Sequence, residues 1–310
     1  MNRYITVDAG TTNTRAFLVE NGRIVDRVKI PFGARSSIEG NGELVCALSQ
    51  AIESLLSKWE ICEADVTAII ASGMLTTEFG LRPLDHICAP VGIEDLKRAM
   101  HREVFPEISN IPFYLIRGVK IVTDNPLDAD MMRGEETEIM GLYHGEYTGA
   151  VYVLPGSHSK VIQTDADGKI VSFSTHMTGE MIYALSQHTI LKAAVDLSIS
   201  ELDREALISG YKLAKQVGVN KAIFKTRVMK NLYGASDVES YSFFLGAVLC
   251  DEIADILSTT GTVIVGGRSQ IRSATVEILR RISDRRIIEL NDREVDESVA
   301  LGAVRIFENK

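Results

Sequence analysis

The sequence predicts an α/β protein made of two similar halves, each opening on a polar glycine turn between strands. Three observations carry this reading. In Tyr4 to Glu20, YITVDAGTTNTRAFLVE, Ile5 and Val7 alternate with polar neighbours and Ala16 to Val19 form a short apolar run. These are two strands around an Asp8-Ala-Gly-Thr-Thr-Asn-Thr turn. A gapless shift of 146 positions then lays Gly10-Thr11 on Gly156-Ser157, Val7 on Val153, and Asn21-Gly-Arg-Ile-Val on Asp167-Gly-Lys-Ile-Val. Finally, an amphipathic helix around Leu44 to Trp59 precedes the strand Val66 to Gly73, just as a helix around Tyr241 to Leu257 precedes Thr262-Val-Ile-Val-Gly-Gly.

The first turn has the chemistry of a phosphate cradle. Gly10, Thr11, Thr12 and Asn13 supply backbone N–H groups and short polar side chains in a tight bend. An ordinary hairpin uses the same residues, and it is the second copy that favours the ligand. Asp8, ending the first strand, suits the water shell of a Mg2+ ion, which takes one or two carboxylates and keeps several waters.

Composition narrows the partners. The 310 residues suffice for two domains; 45% are hydrophobic and 24% charged, as in globular enzymes. A formal net charge of -9 argues against general nucleic-acid or anionic-membrane binding and for a small-molecule partner. The four cysteines, 46, 62, 88 and 250, are scattered without a CxxC pair and read as reduced core thiols, the pattern of a cytoplasmic protein. No basic-then-apolar leader opens the chain, and the apolar run Phe243 to Cys250 stops at Asp251-Glu252, so no signal peptide or membrane span is expected.

In the first half, taken as residues 1–130, Ile24 to Ile30 gives a third strand and Pro31-Phe-Gly a break. Leu44, Leu48, Ile52, Leu55 and Leu56 mark one helical face. The strand ending at Ser72-Gly73-Met74 delivers the loop Leu75 to Pro90 to the C-terminal edge of a sheet, where open α/β sheets bind ligands. Ser72, Gly73 and Met74 are therefore candidate substrate contacts. Phe113 to Ile116 is the last strand expected of this half.

The second half, 131–310, is entered through Asp130-Met-Met-Arg-Gly-Glu-Glu-Thr, with helical spacing from Glu136 through Ile139, Met140 and Tyr143. Acids near a helix N-terminus oppose its dipole, worth ~0.3–1 kcal/mol each, and that suffices for Glu138. Asp130, Arg133, Glu135 and Glu136 invite more: a base or a substrate clamp. The second turn, Pro155-Gly156-Ser157-His158-Ser159-Lys160, replaces Asp8 with Leu154, as one metal site and two phosphate grips would require. Thr178 reads as a helix cap and Glu180 as a group facing the substrate. Residues from about Leu197 to Tyr233 carry no chemical motif and read as the bulk of a helical insertion, about 178–235. Gly266, Gly267 and Arg268, between strand and helix, allow close approach of a nucleoside. The last helix, Val299 to Phe307, shows small residues suited to close packing and to a return towards the first half.

This order of motifs resembles the sugar kinase, heat-shock chaperone and actin superfamily. The resemblance rests on Asp8-x-Gly-Thr-Thr, Pro155-Gly-Ser-His-Ser-Lys and Val265-Gly-Gly, and it implies two RNase-H-like (actin-like ATPase) domains with ATP in the cleft between them. More narrowly, Asp130-x-Met-Arg-Gly-Glu-Glu-Thr, Pro155-Gly-Ser-His-x-Lys and Met177-Thr-Gly-Glu together resemble the 2-dehydro-3-deoxygalactonokinase family over essentially the whole chain. Ser157 stands where threonine is common in that pattern, and the hydroxyl is kept. The resemblance implies a sugar acid, 2-keto-3-deoxy-D-galactonate, phosphorylated by ATP at its C6 hydroxyl.

The mechanism expected is in-line transfer to a primary alcohol, with protein groups positioning the reactants. Asp130 is the first choice of base, followed by Glu135 and Glu136, and Arg133 the partner of the sugar-acid carboxylate. A kinase for another sugar acid or amino sugar is the nearest rival; an actin-like ATPase without kinase activity, and a homo-oligomer, are also compatible with the sequence.

Overall fold

The computed structural model describes residues 2–10, 13–30, 41–143, 145 and 147–309. Pro31-Phe-Gly, Thr11 and Thr12 lie outside them. Two compact units result: residues 1–146 with 166–172 and 293–310, and residues 147–165 with 173–292. The segment 131–146, assigned by sequence to the second half, belongs to the first unit.

The first unit opens with β1 (Arg3–Ala9), β2 (Thr14–Glu20) and β3 (Arg23–Ile30), an antiparallel meander. Asn21 and Gly22, both at positive φ, make the two-residue turn between β2 and β3, a backbone state that Asn-Gly adopts readily. Helix α1 (Gly42–Lys58) buries Leu44, Leu48, Ile52, Leu55 and Leu56, the face read from the sequence. Strand β4 (Ala68–Gly73) runs parallel to β1 and is buried throughout, as a strand covered on both faces must be. The short β5 (Ile87–Cys88) and α2 (Ile93–Ala99) lead to β6 (His101–Phe105) and β7 (Ser109–Leu115). The sheet order is β3-β2-β1-β4-β7-β6. Two strands follow β7: β8 (Val119–Ile121) and β9 (Asp130–Met132), which join β5 in a separate three-stranded sheet. Helix α3 (Glu135–Leu142) then closes this run.

The second unit repeats the plan. It contains β10 (Val151–Leu154) and β11 (Ser159–Thr164), and β12 (Ile170–His176) follows the turn at Gly168. Helices α4 (Thr178–His188), α5 (Arg204–Val217), α6 (Val219–Tyr233), α7 (Asp237–Val248) and α8 (Cys250–Ser258) precede β13 (Val263–Val265), α9 (Ser269–Ile282) and β14 (Ile287–Glu289). The order β12-β11-β10-β13-β14, with β10, β13 and β14 parallel, matches β3-β2-β1-β4-β7 strand for strand. This is the RNase-H-like arrangement in duplicate. The helix expected over Tyr241 to Leu257 is two, α7 and α8, meeting at Leu249.

The last helix, α10 (Asp292–Glu308), packs in the first unit. A Cβ on Gly302 would stand 1.9 Å from the Thr137 carbonyl oxygen, and one on Gly141 1.9 Å from that of Ser298. The backbones of α3 and α10 therefore touch. Arg305 donates to the Met140 carbonyl at 2.9 Å and to that of Tyr143, filling acceptors at the α3 C-terminus. Of the cysteines only Cys250 is buried; Cys46, Cys62 and Cys88 are exposed, so three of the four are surface thiols and not the core thiols expected. Among the described residues no helix is long and apolar enough to cross a membrane.

Candidate active site

In the first unit the site forms where β1 and β4 end. Register pairs Asp8 with Ser72 and Ala9 with Gly73 across the parallel ladder. Gly73 adopts φ +74, and a Cβ there would come within 2.4 Å of the Ala9 carbonyl oxygen. Gly134, at φ +110, sits over Gly73, 3.5 Å from its Cα measured at the position a Cβ would take. The positive φ at both positions, and the lack of room for a Cβ at Gly73, call for glycine where the start of α3 meets the edge of the sheet.

Around that contact gathers negative charge. Asp8 accepts from Arg15 at 2.7 and 3.2 Å, and Arg15 reaches Asp296 of α10 at 3.4 Å. Glu135 accepts from the Arg133 backbone N–H at 3.0 Å. Glu136 is fully buried and has both oxygens engaged, by the Gly134 N–H at 2.8 Å and the Thr137 hydroxyl at 2.9 Å. Burial and the neighbouring Glu135 push its pKa up to about 7. Burial, then Glu135 and Asp8, push that of Glu138 up to about 8, against the opposing pull of Arg15. Glu138, read from sequence chiefly as a dipole partner, thus lies within electrostatic reach of Asp8. Arg15 was not singled out either, although the hairpin register places it directly opposite Asp8.

Arg133 turns towards the loop after β4. Its guanidinium donates to the Thr76 hydroxyl and to the Leu84 carbonyl at 3.0 Å, and lies 3.3 Å from His86 Nδ1. It therefore braces the Leu75–Pro90 loop. Asp130 sits on β9 opposite Ile121, in a different sheet from Asp8. Ser72 is wholly buried, with no hydrogen bond to its hydroxyl, and Met74 is partly buried against the core. Gly10 and Asn13 close the first turn by an N–H···O bond of 2.9 Å.

In the second unit, three segments distant in sequence meet. The turn 155–160 opens with Gly156, whose N–H donates to the Ser159 hydroxyl at 3.3 Å. Gly179, one residue into α4, presses on it so closely that a Cβ would lie 2.2 Å from the Gly156 carbonyl oxygen. The Glu180 N–H donates to the Ser157 carbonyl at 3.2 Å, and the Glu180 carboxylate lies 3.9 Å from His158 Nε2. From the other side come Gly266 to Arg268. Gly267, at φ +68, would bring a Cβ within 2.2 Å of the Pro155 carbonyl oxygen, while the Arg268 N–H donates to that oxygen at 2.8 Å. The Arg268 guanidinium reaches the Ser157 hydroxyl at 3.2 Å. Lys160 is buried on β11, donating to the Thr175 hydroxyl at 2.5 Å. Buried Arg272 braces the same turn through the Gly267 carbonyl at 3.1 Å, a role with no signal in the sequence. Thr178 is not the cap of α4: Met177 holds that position, and the Thr178 hydroxyl is bonded to buried Glu252.

The 2-keto-3-deoxy-galactonokinase family model matches residues 8–293, nearly the entire chain. The chain belongs to this family. It is accordingly a sugar-acid kinase, a phosphotransferase that uses ATP. Similar proteins agree. The 2-dehydro-3-deoxygalactonokinase of Escherichia coli (strain K12) is 24% identical over 250 residues, 80% of this chain and 77% of that one. DgoK1 of Rhizobium meliloti (strain 1021), ascribed the same activity, is 26% identical over 276 residues, 84% and 82% of the two chains. A crystal structure from Sinorhizobium meliloti, of a protein also ascribed that activity, superimposes with a TM-score of 0.79 at 20% identity, covering 99% of this chain and 96% of that one. The activator of the Clostridium difficile 2-hydroxyisocaproyl-CoA dehydratase, solved with ADPNP, shares the fold at a TM-score of 0.51 and 14% identity, over 99% and 95% of the chains.

Proposed function

We propose that the chain transfers the γ-phosphoryl group of ATP to the C6 hydroxyl of 2-keto-3-deoxy-D-galactonate, giving the 6-phosphate and ADP. The observation that carries the nucleotide assignment is the meeting of the 155–160 turn, the start of α4 and Gly266–Arg268 within one unit. Gly156, Ser157, His158, Ser159 and Lys160 would hold phosphate oxygens, with Gly10, Thr11, Thr12 and Asn13 as the corresponding turn of the first unit. Gly266, Gly267 and Arg268 would meet the nucleoside.

The residues around Asp8 fit a hydrated Mg2+. Asp8, with Glu135 and Glu138 near it, supplies the carboxylate oxygens a hard divalent cation takes, and Arg15, which pairs with Asp8, would give way to the ion. When bound, the ion would neutralise charge on the transferring phosphoryl group. The chain's own groups position the sugar acid. Met74 and the loop braced by Arg133 would line its site in the first unit, with buried Ser72 supporting the edge; Glu180, in the second unit, is a further candidate substrate contact. Asp130 would take the C6 proton, with Glu135 the competing base; Glu136, doubly bonded and buried, would hold the α3 start in place.

Single-turnover rates of Asp130→Asn and Glu135→Gln decide between the bases. The base variant should lose about 10²-fold or more in the chemical step while still binding both substrates. Near wild-type rates in Asp130→Asn would remove Asp130 from that role. The protein works in a small-molecule pathway of sugar-acid breakdown, in the cytoplasm, without nucleic acid or membrane partners; a homo-oligomer would show in sedimentation.

A further inference from the structure

Beneath the 155–160 turn lies a buried carboxyl that no step above employs. Glu252, on α8, is 1% exposed. The Thr178 hydroxyl donates to it, Ser159 lies close enough to pull its pKa down, and Oε1 has no partner. Ser159 and Thr178 are themselves buried, and each begins a different element: Ser159 opens β11 and Thr178 opens α4. Ser159 in turn accepts from the Gly156 N–H, and the residue after Thr178 is the glycine that presses on Gly156. His176, held by Asp255 at 2.9 Å, lies near enough to draw the Glu252 pKa down against the upward push of burial.

A buried carboxyl with an unpartnered oxygen is costly, and an apolar side chain of similar size would serve the core as well or better. Its presence calls for a use as an acceptor. We propose that Glu252 is a positioning residue for the kinase reaction, tying the phosphate-binding turn to the start of α4 through Ser159 and Thr178 and so fixing the shape of that turn. The inference rests on the reading that residues 156–160 hold nucleotide phosphates.

The test measures Mg·ADPNP binding by calorimetry, and steady-state kinetics with ATP and sugar acid each varied, on wild type, Glu252→Ala, Glu252→Gln and Thr178→Val. Glu252→Ala should weaken nucleotide binding about tenfold or more and raise the KM for ATP in step, the scale of losing a hydrogen bond to a charged group. The KM for sugar acid should move about twofold or less by the same reasoning, since that contact is one step removed. Glu252→Gln keeps an acceptor oxygen for the Thr178 hydroxyl and should restore binding to within about threefold. A core role alone would lower the melting temperature without separating the two KM values. Should Glu252→Ala not fold, Thr178→Val, isosteric and lacking the hydroxyl, carries the test with a smaller loss in the same direction. A folded Glu252→Ala, or Thr178→Val in its stead, that binds Mg·ADPNP as tightly as wild type overturns the proposal. Wild type that binds no Mg·ADPNP would instead sink the nucleotide reading, and this inference with it.

Discussion

Asp8 is the residue at which sequence and structure agree on position and differ on company. Its place at the end of β1, before a glycine turn, was legible from strand alternation. The company of Arg15 and Glu138 was not, because one lies across a hairpin and the other reaches back from a helix about 130 residues on. Asp8→Ala should abolish Mg2+-dependent turnover, a loss of about 10²-fold or more if the ion stabilises the transferring group; kinetics across a Mg2+ titration check it. Glu136 gives a second prediction. Its carboxyl binds a proton more tightly folded, at about 7, than the ordinary 4.5 of the unfolded chain. Its contribution to stability is therefore complete below about 4.5 and is lost as pH rises through about 7. Glu136→Gln should flatten that fall, so denaturant midpoints at pH 5 and pH 8 should lie closer together than in wild type. An unchanged difference would mean that Glu136 is ionised alike in both states.

At the scale of elements, helix contacts by glycine decide where the site is held. Gly302 and Gly141 let α10 lie against α3, which carries Glu135 to Glu138. Gly246 and Gly210 do the same for α7 and α5: a Cβ on Gly246 would stand 1.9 Å from the Leu207 carbonyl oxygen. Gly246→Ala should destabilise the second unit by about 1–3 kcal/mol or more, because the helices must part. Gly302→Ala should cost similarly and also slow turnover, since it shifts α3; thermal unfolding and kcat measured together separate the two effects. The small residues of α10 were visible in the sequence, whereas Gly210 and Gly246 mean nothing until their partners are known. The single helix expected over Tyr241 to Leu257 failed for a related reason. From Ser240 to Val248 helix α7 is buried on all sides, so this stretch has no polar face whose phase could reveal the break at Leu249. Strands β8 and β9, three residues each, are too short for a period-2 pattern to show.

For the whole molecule, the 146-residue repeat was the most informative feature of the sequence. It anticipated two sheets with the same order of meander and parallel strands, which the topology bears out. What the repeat could not give was ownership of segments: 131–146 and α10 sit in the first unit because Gly141, Ser298 and Gly302 bind them to each other, a contact between residues far apart in sequence. Substrate identity rests on the family and on the combination of Asp130 to Thr137, Pro155 to Lys160 and Met177 to Glu180. It is therefore the claim to test first. ADP release should be measured with Mg·ATP and 2-keto-3-deoxygalactonate, with its C4 epimer 2-keto-3-deoxygluconate, and with no sugar, in wild type and Asp8→Ala. A strong preference for the galactonate acid, lost in Asp8→Ala, is the predicted result; equally slow ADP release under all three conditions would contradict the account.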